Sequence, residues 1–252
     1  MVARKPKNKR YPRGKVGERA YAVGDIHGCL NETLTLLQQL KTDNDYRDEA
    51  ITYMIFLGDI VDRGPDSKKI VELLMDFPYE FAEPLFIKGN HEEMMVRGLT
   101  NEPELLQQWL KFGGFECAES YGLRRDQLSG QSPWVVQQML RSVVPKEHVD
   151  FLDGFLDYVQ FGDFLFTHAG LRPGVALSQQ NPRDMRWIRD AFLEFDGEFE
   201  LMVVHGHTIS DEIEIRHNRI GLDTGAYETG RLSAICIEDH QTKYFCSKSN
   251  DI

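Results

Sequence analysis

A length of 252 residues, with 41% hydrophobic and 27% charged side chains, suits one large α/β domain or two small ones and excludes a fibrous or low-complexity chain. The net charge of −11 is unevenly spread: residues 1–19 hold eight Lys/Arg against Glu18 alone, so the remainder is strongly acidic. Such a body repels polyanions, which excludes broad nucleic-acid binding.

In chain order, residues 1–18 read as a basic, solvated tail without the apolar stretch of a secretory signal. Residues 19–252 read as one domain. Its strand candidates are 20–23, 52–57, 84–88, 164–167, 201–204 and 232–237, short runs rich in aromatic or branched residues. Helical patterns lie between them. Residues 30–40 place Leu34, Leu36, Leu37 and Leu40 on one side, and 67–75 follow Pro65-Asp66, a helix start signal. The alternation predicts a layered α/β fold. Residues 99–157 differ: helical patterns at 103–112, 133–140 and 147–156 run without a strand, broken at Gly113-Gly114 and Ser129-Gly130. They predict a helical insertion beside the sheet.

No apolar run reaches the ~18 residues of a membrane span, so no membrane partner is expected. Cys29, Cys117, Cys236 and Cys246 form no C-x-x-C pair, which predicts free thiols in a reducing, cytoplasmic setting. A thiol-phosphatase loop needs Arg six places after Cys, and Thr35, Leu123, Thr242 and Ile252 stand there instead. Walker A and G-x-S-x-G sequences are absent too. Asp43-Asn44-Asp45 starts like a calcium loop, but Asp48 replaces the required glycine.

Ligands of α/β sheets sit beyond the carboxyl ends of strands, so the residues following each apolar run carry the argument. These are Gly24-Asp25-Ile26-His27, Gly58-Asp59-Ile60-Val61-Asp62-Arg63-Gly64, Gly89-Asn90-His91-Glu92, His168-Ala169-Gly170 and His205-Gly206-His207-Thr208. One such Asp is usually a turn or cap residue, and one such His a core group. Five in succession read as a ligand inventory. Carboxylate oxygen together with imidazole nitrogen suits Mn, Fe or Zn, and the ligands outnumber the needs of a single ion. A bridging carboxylate permits two-metal hydrolysis.

The order and spacing of these motifs resemble the metallophosphoesterase superfamily over residues 20–237, and more narrowly its bacterial and phage serine/threonine phosphoprotein phosphatases. The resemblance implies the calcineurin-like fold, with central β sheets flanked by helices. It implies two divalent metal ions, Mn foremost with Fe or Zn as alternatives. Asp25 and His27 would hold the first ion, Asp59 would bridge, and Asn90, His168 and His207 would complete the second. His205 would be a strand-end or supporting residue. Arg63, Arg189 and Asn90 would bind the phosphoryl oxygens, with Arg186 and Arg183 as rivals of Arg189. His91 would be the general acid, oriented by Asp62, while a metal-bridging hydroxide attacks phosphorus.

Two substrate classes follow. Superfamily members that cleave dinucleoside tetraphosphates typically have Ala where this chain has Asp62. Asp62 therefore favours phosphomonoesters, on phosphorylated proteins or small phosphate esters, acted on by a monomer. Dinucleoside polyphosphate hydrolysis is the alternative. A non-catalytic relic would have lost ligands, and none of the six is missing. Leu222-Asp223-Thr224-Gly225-Ala226 resembles a closing strand and turn with a structural role, and Tyr227 stands where it could approach substrate.

Overall fold

In the computed structural model, which describes residues 11–248, the first apolar run is buried on both faces, with only Glu18 partly exposed. Ten strands are formed among these residues: β1 (Glu18–Val23), β2 (Ile51–Phe56), β3 (Glu83–Phe86), β4 (Tyr158–Phe161), β5 (Phe164–Thr167), β6 (Met202–His205), β7 (Glu214–Ile215), β8 (Arg219–Gly221), β9 (Ser233–Glu238) and β10 (Gln241–Cys246). They make two five-stranded sheets, ordered β10-β9-β1-β2-β3 and β4-β5-β6-β8-β7. β1, β2 and β3 are parallel, as are β5, β6 and β8, and β4, β7, β9 and β10 pair antiparallel with their neighbours.

The period-two alternation of side chains explains the layering. Ala20 and Ala22 of β1, Ile55 of β2 and Ile235 and Ile237 of β9 face inward. They meet Phe164 and Phe166 of β5 and Val204 of β6, closing one core between the two sheets. The alternate residues Tyr21, Val23, Met54, Phe56, Ala234 and Cys236 face a helical layer instead. That layer contains α1 (Leu30–Asp45), α2 (Ser67–Met75) and α3 (Asn90–Thr100). Covered on both faces, these strands read in sequence as continuous apolar runs.

The insertion follows as α4 (Leu105–Trp109), a kinked segment at Leu110–Gly114, α5 (Phe115–Ser120), α6 (Arg125–Leu128), α7 (Pro133–Val143) and α8 (Lys146–Asp153). Its end closes the edge of β3: Leu156 N donates to Phe86 O at 2.9 Å and Lys88 N to Leu156 O at 2.7 Å. Unpaired edge groups are thereby satisfied. On the second sheet, α9 (Pro182–Trp187) and α10 (Asp190–Leu193) cover the outer face, where Met185, Ile188 and Phe192 pack on Leu165 and Val203. A single turn, α11 (Ala226–Thr229), precedes β9. No helix among the described residues is long and apolar enough to cross a membrane.

The later part of the expected 1–18 tail is hydrogen-bonded to the sheets. Residues 1–10 lie outside the described residues, but Arg13 N donates to Asp163 Oδ2 at 3.0 Å and Asp163 N to Arg13 O at 2.7 Å. Gly14 N donates to Asp239 O at 2.6 Å, so the segment from Arg13 is tied to both sheets. Deleting residues 1–10 is expected to change turnover of a small phosphate ester by less than about twofold. Deleting 1–18 is expected to lower the melting temperature by several degrees, because backbone hydrogen bonds and the start of β1 go with it. Steady-state rates and thermal scans of both truncations check this.

Candidate active site

Each motif stands at the carboxyl end of a strand, and three of the five run through loops too tight for ordinary backbone. Among the described residues six non-glycine residues have positive φ, and five belong to these motifs: His27 (44°), Asp59 (49°), Asp62 (72°), Arg63 (65°) and His207 (65°). Strained backbone of this kind persists only where the surroundings hold it, and it concentrates at functional sites. Two glycines make room. A Cβ at Gly89 would lie 2.1 Å from Asp59 Oδ1, and one at Gly206 would lie 1.9 Å from Asp25 Oδ1.

Asp59 is the centre of the arrangement. Its Oδ2 lies 3.7 Å from His27 Nε2 and 3.3 Å from His168 Nε2, while Oδ1 accepts from His91 N at 3.0 Å. His27 Nδ1 donates to Val61 O and His168 Nδ1 to Leu57 O, both at 2.8 Å. These backbone bonds turn each Nε2 inward and fix its tautomer, the arrangement typical of metal-binding histidines. His168 Nε2 is also 3.0 Å from Asn90 Oδ1 and 3.2 Å from His207 Nδ1. Asp25 Oδ2 accepts from His207 N at 3.0 Å, linking the ends of β1 and β6 across the two sheets.

Three buried polar atoms of these residues lack a partner, Asp25 Oδ1, His27 Nε2 and His207 Nε2, while His207 Nδ1 faces His168. Buried polar atoms are rarely left unpaired, and divalent cations would satisfy these. Charge supports the fit. Burial, then Asp223 and Asp59, push Asp25 well above the usual carboxylate range. Burial opposes protonation of His168, yet Asp59 and Asp25 outweigh it and hold His168 up at about 10. Burial and the His168 charge push His207 down to about 2. Protons are thus drawn to where cations would neutralise the carboxylates. Two ligand groups are geometrically possible, His27–Asp59–His91 and Asp59–His168–His207, with Asp59 in both. The first includes His91, but its Nε2 faces the Arg63 guanidinium at 3.3 Å, which disfavours a cation there.

The other expected residues also converge. Asp62 Oδ2 accepts from His91 Nδ1 at 2.7 Å, and both side chains are buried. The Arg63 guanidinium lies 4.7 Å over the Tyr227 ring, whose edge meets His27 at 5.4 Å between centroids. Arg189 is exposed beside the site, its Nη1 donating to Thr208 Oγ1 at 3.2 Å. Arg186 is committed elsewhere, to Glu93 and Asp157, and so is no rival. His205 stands apart, its ring edge-on to Phe192 in the outer core.

Two buried carboxylates had no assigned part in the site. Glu92 Oε2 accepts from Asp59 N at 2.8 Å and Gly89 N at 2.9 Å, and Oε1 accepts from Ile60 N at 2.8 Å. It braces the two strand-end loops against each other. Burial and Asp59 push it up to about 7. Its place in Gly-Asn-His-Glu is the only sequence signal for this. Asp223, given a structural part by sequence, caps Gly225 N at 2.9 Å and adds negative charge beside Asp25.

The sequence model of one protein family, calcineurin-like phosphoesterase, matches residues 19–238. A bis(5'-nucleosyl)-tetraphosphatase PrpE [asymmetrical] of Bacillus velezensis is 25% identical over 240 residues, covering 87% of this chain and 89% of that protein. Among solved structures, a "putative diadenosine tetraphosphatase" superposes with a TM-score of 0.62 at 19% identity, over 95% of this chain and 100% of the other. A cold-active protein-tyrosine phosphatase of a psychrophilic Shewanella superposes with 0.54 at 17% identity, over 91% and 80%. At these identities the two structures share the fold.

Proposed function

Because the chain belongs to the calcineurin-like phosphoesterase family and is a divalent-metal phosphoesterase, we propose that it hydrolyses dinucleoside polyphosphates at a two-metal centre. The observation that carries the two-metal part is Asp59, common to both possible ligand groups. The likeness to a bis(5'-nucleosyl)-tetraphosphatase over most of both chains supports the substrate class. This moves away from the phosphomonoester reading that Asp62 favours. That reading keeps one specific support, the 2.7 Å Asp62–His91 pair, which suits a poorly leaving alkoxide.

In this reading Asp25, His27 and Asp59 would hold one ion, and Asp59, Asn90, His168 and His207 the other, with Mn as the expected metal. When bound, such ions polarise the phosphoryl group and bring the pKa of water towards neutrality. Arg63, Arg189 and Asn90 bind the phosphoryl oxygens. Asp62 holds His91 Nδ1 and leaves Nε2 facing the leaving oxygen. Burial opposes a proton on His91, but Asp59 and Asp62 raise its affinity above that of ordinary imidazole. The Arg63 guanidinium donates to His91 Nε2 at 3.3 Å, so the two side chains converge on one place. The pair therefore suits a phosphate oxygen.

The test is turnover of diadenosine tetraphosphate and of a phosphoserine peptide with Mn, Mg, Zn and Fe in turn. We expect kcat/KM for the dinucleotide to exceed that for the peptide at least about tenfold, with Mn best. The reverse order would overturn the substrate assignment in favour of a phosphoprotein phosphatase.

A further inference from the structure

A cavity of about 560 Å³ opens beside Arg63, between Tyr227 and the kinked segment Leu110–Gly114. It shares Arg63 with the reacting centre, since the same guanidinium lies 3.3 Å from His91 Nε2 and stacks on Tyr227. A ligand in the cavity would thus be contiguous with a phosphoryl group held at the metals.

The far wall is built on a helix irregularity. Phe112 (φ −94°, ψ 15°) and Gly113 (φ 110°) leave helical geometry. Gly113 O accepts from Arg63 N at 3.0 Å, and a Cβ at Gly113 would lie 2.6 Å from Arg63 Cγ. The kink is therefore locked onto Arg63. Its outcome is to leave Phe112 in the open, 44% exposed, on the cavity wall. Polar charge there is positive. Lys111 has no hydrogen-bond or ion-pair partner among the described residues. Arg125 stacks on Phe115 at 4.3 Å and pairs with Glu116, the sole acid in the lining. In a chain of net charge −11, an aromatic, cationic cavity joined to the phosphoryl site is an unusual local reversal.

We infer that this cavity seats the nucleoside and neighbouring phosphates of a dinucleoside polyphosphate that lie beyond the scissile phosphate. The base packs on Phe112, and Lys111 and Arg125 meet the phosphates. A base offers a π-face to an aromatic side chain whatever its sequence of hydrogen-bonding groups, and phosphate suits cationic side chains. The cavity volume falls within the usual range for small-molecule sites. A phosphoserine side chain carries one phosphate and no base, and leaves these features unused. The inference rests on the dinucleotide reading above.

The experiment uses the full-length, Mn-loaded enzyme with diadenosine tetraphosphate, 4-nitrophenyl phosphate and a phosphoserine peptide. Variants are Phe112→Ala, Phe112→Tyr and Lys111→Gln. For Phe112→Ala and Lys111→Gln we expect KM for the dinucleotide to rise about tenfold, with kcat little changed. KM for 4-nitrophenyl phosphate should shift by less than about twofold, which also reports an intact fold. Phe112→Tyr keeps the ring and should restore the dinucleotide KM. Unchanged dinucleotide KM in both Phe112→Ala and Lys111→Gln overturns the cavity assignment while the proposed function stands. A rise confined to the phosphopeptide assigns the cavity to a peptide and overturns it as well. Wild-type enzyme without dinucleotide turnover removes the proposed function itself, and the cavity assignment with it.

Discussion

Asp59→Asn is expected to lose both metal ions and to lower turnover of any phosphate ester by about 10³-fold or more. The size follows from the several kcal/mol that metal charge contributes in the transition state, each ~1.4 kcal/mol being tenfold. Asp59 is common to both possible ligand groups, with Oδ2 at 3.7 Å from His27 Nε2 and 3.3 Å from His168 Nε2. An amide there keeps the shape but supplies a weaker, neutral oxygen, and its NH₂ group cannot ligate. The substitution should still fold. Asp59 sits at φ 49°, a left-handed conformation that Asn tolerates better than most residues. Glu92 continues to hold the backbone N–H of residue 59 whatever the side chain. Metal content by elemental analysis, alongside steady-state rates, gives the answer. A variant that retains one equivalent of metal would remove Asp59 from its shared position.

His91→Asn is expected to keep both ions and to lose about 10²- to 10⁴-fold in turnover of an alkyl phosphate such as a phosphoserine peptide, the usual range for losing a general acid. On diadenosine tetraphosphate the loss should be smaller, because a polyphosphate leaving group is far less basic than an alkoxide and departs with less help. The two substrates together therefore separate proton donation from positioning. His91 Nδ1 donates to Asp62 Oδ2 at 2.7 Å, so the substitution also strands a buried carboxylate oxygen, at about 1–3 kcal/mol of stability. An unchanged rate on the phosphoserine peptide would sink the acid assignment. Loss of an ion would place His91 among the ligands, as the geometric grouping with His27 and Asp59 allows.

The site was legible in sequence because its chemistry is written in short, contiguous pieces. Gly24-Asp25-Ile26-His27 and Gly89-Asn90-His91-Glu92 each follow an apolar run directly, and a strand end fixes where such a loop points. The strands on both sides of these loops were equally readable, since burial on two faces leaves continuous apolar runs in β1, β2 and β9. The short β4, β7 and β8 and the polar edge strand β10 were not expected. Gln241, Thr242 and Lys243 of β10 are exposed, so no apolar alternation marks them.

Sequence by itself determined which residue types stand at the strand ends, in what order, and that they suit metal and phosphate rather than thiol chemistry. Tertiary structure alone decided which of them meet. Two sheets, rather than one, bring Asp25 from β1 to His207 beyond β6, and the carbonyl of Leu57 to His168 beyond β5. It also set Glu92 as a brace between two loops and took Arg186 away to Glu93 and Asp157. The physical reason is range. A turn and its ligand are set by neighbours a few residues away, whereas the pairing of distant side chains depends on how the two sheets stack, and no local pattern encodes that.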